Sequence, residues 1–350
     1  MIDWLTCRVP VRLPEPINGG ETVKLDRSGE VIQATPHRLM VEGSFSSSLS
    51  IRAPSTSELE ISGNVAKWLA GHNLWGTDCP KRLLWAALRR LEGTPEVFPW
   101  SLASVGLHGP ECLSDTILTR VDCTGMLSLG SLDEVKAFIR SAAATGSLSH
   151  RGRGVMREGT VVFGDAKGKS FARNQIVMYA KGQEIVAHKL PDLMMNDPEV
   201  MAWVNKCLRV EVRLGRLDLQ DSGLRLLSGW CEGIALLVWE KAMAKLTFSE
   251  ADTNFDISTL PRKYRGTYAM WEIGRDCRQL LSNGTYYSHR AGIRELTGID
   301  IAVPPVPRKV SNVVPLADVL GAGWASRPVW ADRIEGQLQE GGAVILPFAA

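Results

Sequence analysis

The sequence predicts an α+β protein: a mainly antiparallel sheet with helices packed on it, followed by a smaller helical C-terminal domain. Three observations predict it. The first sixty residues are short apolar runs broken by Pro-, Gly- and Ser-rich turns. In Leu208-Arg209-Val210-Glu211-Val212-Arg213-Leu214, apolar residues alternate strictly with charges, which is the period of a strand. Beyond Leu214 the apolar spacing changes to that of helices. We place the sheet-bearing domain at 1–222, the helical one at 223–303, and a linker with an irregular tail at 304–350.

Taken in order, Ile2 to Val11 reads as a first strand, with Asp3 on the same face as Leu5, Cys7 and Val9. A carboxylate there must be paired or sit at the strand end, and its position favours the end. Thr22–Leu25 and Val31–Ala34 flank Asp26-Arg27-Ser28-Gly29, a hairpin signal. Ser48–Arg52 and Leu59–Ser62 make another strand pair. Asn64 caps a short helix that Gly71 ends, leading into the shaped loop Gly71-His72-Asn73-Leu74-Trp75-Gly76-Thr77. Pro80–Leu91 is an amphipathic helix with Lys81, Arg82, Arg89 and Arg90 exposed. Ile117–Thr124 is a strand and Ser131–Ala144 a helix with acid in its first turn. Thr145–Gly154 reads as a loop, and Gly159–Phe163 with Ala172–Tyr179 as a hairpin. Leu224–Leu246, Tyr264–Leu281 and Thr285–Leu296 follow as helices, and Pro304 to Pro307 stiffens a linker. The short Ser282-Asn283-Gly284 turn permits a helix-turn-helix, with Tyr286, Tyr287, His289, Arg290 and Arg294 available to DNA.

Bulk properties exclude several classes. A formal charge of +2 over 350 residues gives no global polyanion signal, yet Arg151 to Arg216 holds 12 Lys and Arg against 7 Asp and Glu. Seven scattered cysteines with no Cys-x-x-Cys argue against a disulfide framework or thiolate zinc site, and for a reducing compartment. There is no signal-peptide pattern and no apolar run near the ~20 residues that span a bilayer, so we expect a cytoplasmic protein without membrane partners.

The chemistry gathers in the second half of the sheet. On a strand, Tyr179 and Lys181 would share a face, as would Arg209, Glu211 and Arg213. A phenol beside an ammonium, facing a carboxylate between two guanidinium groups, suits the cutting of a phosphodiester. Arg120-Val121-Asp122 repeats the pattern of Arg209-Val210-Glu211, and side by side the two strands would bring Asp122 and Glu211 near enough to share a hard divalent cation. The same charges are also what the solvated face of an antiparallel sheet carries, and a lone histidine such as His72 is most often a hydrogen-bonded structural residue.

Met1-Ile2-Asp3, Gly71-His72-Asn73-x-x-Gly76-Thr77, Arg120-Val121-Asp122, Tyr179-x-Lys181-x-x-Glu184, Arg209-Val210-Glu211-x-Arg213 and Asn312-Val313-Val314-Pro315-Leu316 occur in one order along the chain. In that order they closely resemble the filamentous-phage gene II replication initiators, a phage and plasmid rolling-circle family. The resemblance implies a metal-dependent, origin-specific nickase and strand-joining enzyme, with 1–222 its catalytic domain. It would cut supercoiled double-stranded phage or plasmid origin DNA through a 5′-phosphotyrosyl bond, leave a 3′-hydroxyl primer, and later cut and circularise the displaced single strand. A host helicase and polymerase would be partners, in the bacterial host cytoplasm. The expected catalytic residues are Tyr179, Lys181 and Glu184. The Mg²⁺ (or Mn²⁺) set is Asp122, Glu211 and His72, dominated by carboxylates because the His-hydrophobe-His motif of better-known rolling-circle nucleases is missing. Arg120, Arg209 and Arg213 would clamp phosphates, and Arg151, Arg153, Arg89 and Arg90 would contact the DNA backbone. Tyr264, Tyr268, Tyr286 and Tyr287 are the alternative nucleophiles. The rivals are a non-catalytic DNA-binding replication regulator and a plasmid mobilisation relaxase.

Overall fold

The computed structural model describes residues 1–43, 47–148, 152–164, 173–248, 257–303, 305 and 324–346; for 152 and 153 it describes the backbone alone. Residues 165–168 of the turn expected between the strands of the Gly159–Tyr179 hairpin, most of the Pro-rich linker and Asn312–Leu316 lie outside these residues.

The strands are β1 (Ile2–Pro10), β2 (Glu21–Leu25), β3 (Val31–Pro36), β4 (Leu39–Glu42), β5 (Ser48–Ser55), β6 (Glu58–Gly63), β7 (Ile117–Ser128), β8 (Gly146–Leu148), β9 (Gly152–Arg153), β10 (Val155–Arg157), β11 (Thr160–Gly164), β12 (Gln175–Ala180), β13 (Cys207–Gly215) and β14 (Leu246–Phe248). The helices are α1 (Val65–Ala70), α2 (Pro80–Leu91), α3 (Leu132–Thr145), α4 (Lys181–Ala187), α5 (Asp192–Met195), α6 (Pro198–Asn205), α7 (Arg216–Asp221), α8 (Ile234–Met243), α9 (Arg262–Glu272), α10 (Cys277–Leu280), α11 (Asn283–Thr297) and α12 (Ala331–Glu340). Nine strands form one antiparallel sheet in the order β10-β11-β12-β13-β7-β1-β6-β5-β4. The fold is thus α+β, as the alternating runs and later helical periods predict.

The apolar parity of the strands (Leu5, Cys7, Val121, Met178, Val210 and Val212) builds one large core, to which α3 and α8 contribute Val135, Phe138, Ile139 and Trp239. At β7 the packing is tight enough to require glycine. A Cβ on Gly125 would collide with the Trp324 ring and come within 3.1 Å of Trp239. The opposite, polar parity is covered too. Loop 71–77 and helices α4 to α6 close over one end of it, and Met126, Ile185, Val200, Val204, Ile334 and Leu338 make a second apolar cluster there. The charged alternation of β13 therefore does not face solvent: Arg209 is 0% and Glu211 5% exposed.

Several expected elements differ. Leu224–Leu246 is not one helix: Gly233, at φ 86°, is where α8 starts, and Leu246 belongs to β14. Leu227, Trp230, Trp239 and Leu246, all beyond residue 222, lie in the sheet's own core. Tyr264–Leu281 breaks into α9 and α10 at Gly274, φ 82°. The Thr145–Gly154 stretch includes β8 and β9, because Leu148 is buried in the core and β8 pairs with β14. The tail is not irregular throughout. Trp324 bridges to Leu127, Ala325 donates to the Met126 carbonyl at 2.8 Å, and α12 buries Ile334 and Leu338. The C-terminal segment thus pairs with β7 beyond the point where β1 begins. The helices from 257 to 303 have their own cluster around Tyr264, Tyr268, Trp271 and Tyr286. There the helix-turn-helix side chains are largely engaged: Tyr286 is buried, His289 bonds Thr267, and Arg290 forks onto Asp300, leaving Tyr287 exposed. Among the described residues no helix is long and apolar enough to cross a membrane.

Candidate active site

Register sets the site. Tyr179 lies opposite Arg209, Val177 opposite Glu211, and Arg213 opposite Asp122, so β12, β13 and β7 put their polar parity on one face. Directly opposed antiparallel residues have neighbouring side chains. The phenol of Tyr179 donates to Glu211 Oε1 at 2.5 Å. Arg213 donates twice to Glu211 Oε2, at 3.0 and 2.7 Å, and its Nε lies 3.6 Å from Asp122 Oδ2. Arg120 forks onto Asp122 at 2.8 and 2.6 Å. One guanidinium therefore bridges the two carboxylates, and a second caps the outer one.

A buried tier supports this face. Arg209 donates to Asp3 Oδ2 at 2.5 Å, to the Asn73 carbonyl, and through Nε to Glu211 at 3.3 Å. Asn73 Nδ2 donates to both oxygens of Asp3, and its Oδ1 accepts from Lys181 Nζ at 2.9 Å. Lys181 in turn donates to Glu184 at 2.6 Å. The chain Glu184–Lys181–Asn73–Asp3–Arg209–Glu211–Tyr179 is continuous. Asp3 joins it because a register shift between Ile2 and Trp4 takes it out of the apolar row. It is paired, and not merely placed at a strand end as the sequence favours.

The electrostatics follow from burial and these partners. Burial pushes the Tyr179 phenol well above its usual value, and Glu211 adds to the rise. Burial also pushes Glu211 up, but Arg213 and Arg209 outweigh it and leave the carboxyl at about 2. At Asp122 burial wins over the Arg120 hydrogen bond, and the group rises to about 6. Lys181 is lowered by burial, then by Arg209.

Above the face lies a cavity of about 780 Å³, and Tyr179, Glu184, Asp122, Glu211, Arg120 and Arg213 all reach it. The other expected residues lie elsewhere. Arg209 is walled off behind the cavity in the buried tier. Lys181 opens α4 instead of continuing β12, so it shares no strand face with Tyr179, and its ammonium is held by Asn73 and Glu184. His72 does not line the cavity. Its ring packs on Trp75 at 4.6 Å, and burial with the Lys181 and Arg327 charges lowers it to about 3. Arg90 is half-buried and not exposed as expected: it donates to the carbonyls of Trp68 and Leu69 and lies over the Trp68 ring. Arg89 pairs with Glu92. Arg151 lies outside the described residues, and Arg153 is described only as backbone in β9.

The carboxylates do not fit the expected cation as they stand. Each oxygen of Asp122 and Glu211 already accepts from an arginine or from Tyr179. Among the described residues no three His, Cys, Asp or Glu converge on one point.

Comparison with known proteins adds the following. The family model for the N-terminal part of the phage gene II replication-associated protein matches residues 1–233, and the model for its C-terminal part matches 253–333. The gene II replication-associated protein of Enterobacteria phage I2-2 is 32% identical over 347 residues, covering 95% of this chain and 97% of the phage protein. No solved structure matches the chain.

Proposed function

This chain belongs to the gene II replication-associated protein family of phages, and from that premise we propose that it initiates rolling-circle replication by nicking one strand of origin DNA. The observation that carries this reading is the Tyr179–Glu211 hydrogen bond at the floor of a cavity flanked by Arg120 and Arg213. A nucleophile, its proton acceptor and two phosphate-binding forks meet there.

In the proposed step the Tyr179 oxygen attacks the scissile phosphorus while its proton passes to Glu211. The bond to the 3′-oxygen breaks, that oxygen leaves as a 3′-hydroxyl on taking up a proton, and the 5′-phosphate stays on tyrosine. The phosphotyrosyl ester keeps the energy of the cut bond, so rejoining the displaced strand needs no nucleotide. Arg120 and Arg213 offset the charge growing on the phosphate. At rest the phenol is protonated and Glu211 is a weak base, because Arg213 holds it low. A phosphate that draws Arg213 away removes the largest of the charges that oppose burial and leaves Arg209 alone among them, so Glu211 rises and accepts the proton more readily. The substrate thus arms the nucleophile.

The 3′-hydroxyl would prime the host polymerase, with a host helicase opening the duplex, in the bacterial cytoplasm. The reading carries a dependence on Mg²⁺ (or Mn²⁺). Asp122 and Glu211 are the carboxylates that would hold the ion once the arginines on them give way, and chelation tests the dependence directly. The deciding experiment is a nicking assay on supercoiled plasmid bearing the phage origin. Wild type should give relaxed circles and a protease-sensitive adduct. Tyr179→Phe should lose roughly 10⁴-fold or more of that rate while still shifting the DNA, on the scale of nucleophile deletion in covalent catalysis. A shifted but uncut band from wild type would make the protein a regulator. Nicking confined to a mobilisation origin would make it a relaxase.

A further inference from the structure

The cavity has two unlike halves, and the proposed cutting step occupies only one of them. Across β4, β5, β6, β1 and β7, register aligns Met40, Ser50, Ser62, Thr6 and Arg120 in a single row. Three of these carry neutral hydroxyls. Trp4, on the same face of β1, donates from its indole to Thr6 Oγ1 at 3.1 Å, and Thr6 Oγ1 lies 2.8 Å from Ser62 Oγ. The chain of hydroxyls stops there. Ser50 and Ser47 also line the cavity, and their hydroxyls are buried without a partner among the described residues. Buried hydroxyls of that kind usually have partners. The Arg120 guanidinium lies 4.6 Å from the Trp4 ring centre, so this half begins with a cation–aromatic platform at the phosphate-binding edge.

We propose that this half is a nucleobase subsite: it receives the unpaired base of a nucleotide adjoining the scissile phosphate, stacked on the Trp4–Arg120 platform with its polar edge on Ser50 and Ser47. The inference rests on the reading that the cavity takes DNA, and adds which part of the strand goes where. Hydroxyls both donate and accept, which suits a base edge, whereas a phosphate is better served by the arginines. A base can reach the subsite only after leaving the duplex stack, so the subsite favours melted DNA.

The test needs no cleavage, so it can fail independently of the nicking assay. Full-length protein is titrated with single-stranded (dT)12 and with a twelve-unit abasic strand of equal charge, at one salt concentration. Wild type should bind (dT)12 about tenfold more tightly, the scale of stacking on an aromatic side chain. Trp4→Leu should erase that preference and Trp4→Phe restore it. The double change Ser50→Ala and Ser47→Ala should reduce it two- to threefold. With 5-iodouracil in the strand, photoadducts should map to Trp4. Equal binding of the two strands by wild type, a preference that survives Trp4→Leu, or adducts confined to residues 257–303 would each overturn the proposal. Thermal melts of the variants separate a lost contact from a lost fold, and if Trp4→Leu does not fold, Trp4→Phe and the adduct map decide.

Discussion

Two neighbouring strands carry the same three-residue pattern, Arg120-Val121-Asp122 on β7 and Arg209-Val210-Glu211 on β13, and the fold treats them in opposite ways. In the first, the arginine is 25% exposed and closes on its own aspartate. In the second, the arginine is fully buried and reaches Asp3, 206 residues away along the chain, and the backbone of Asn73. The difference arises above the sheet, where loop 71–77 and α4 cover β13 but leave Arg120 at the cavity edge. A sequence pattern fixes which side chains share a face; the layer on top decides whether they become a lattice or a working surface.

The sharpest way to break this comparison is to remove the two arginines separately. Arg209→Met leaves Asp3 and Glu211 buried with a lost partner, and should cost about 3–5 kcal/mol in chemical denaturation. Arg120→Met, at a partly solvated pair, should cost about 1 kcal/mol or less while weakening the proposed DNA cleavage. Equal losses would mean that the two patterns are energetically alike.

The carboxylates should respond oppositely to acid. Glu211, held at about 2, supplies stability that is present above its unfolded value near 4.5 and is lost as pH falls through 2, about 3 kcal/mol in all. Asp122, pushed up to about 6, does the reverse: stability present below its unfolded value near 3.8 is lost as pH rises through 6, by about 1–3 kcal/mol. Melting curves from pH 2 to 8 should lose the first trend in Glu211→Gln and the second in Asp122→Asn. The same slope in both variants would remove the distinction.

His72 adds a separate acid response. Buried and lowered to about 3, it makes the unfolded chain the better proton acceptor below pH 6.5, so stability falls as pH drops from 6.5 toward 3. At pH 5 the loss is about 2 kcal/mol. His72→Gln should flatten that part of the curve, and a wild-type curve already flat there would show that the imidazole is reached by water.

Alternation and turn residues made most of the strands legible, including the separate β2–β3 hairpin at Asp26–Gly29 and the pairing partners β5 and β6. That Tyr179 and Glu211 can meet was legible from parity; that β13 lies between β12 and β7 was not, since strand order is a long-range choice. Asn73 was legible as part of a shaped loop, but its bonds to Asp3 and Lys181 join segments 70 and 108 residues apart. Asp3 needed a register shift that no local propensity marks. The strand at Leu39–Glu42 was missed because it is short and has only β5 beside it. Arg90 looked like a surface cation because its position in the helix says nothing of the carbonyls waiting at the end of α1.

The segment around α12 brings a consequence for synthesis. Arg327 lies over Trp75, Glu335 accepts from the Trp75 indole, and Val344 donates to the Leu69 carbonyl, all around the loop that carries Asn73. Residues translated late thus brace a loop translated early. A nascent chain whose α12 is still inside the ribosome lacks that brace, so the proposed competence to cut DNA should arrive only after this helix emerges.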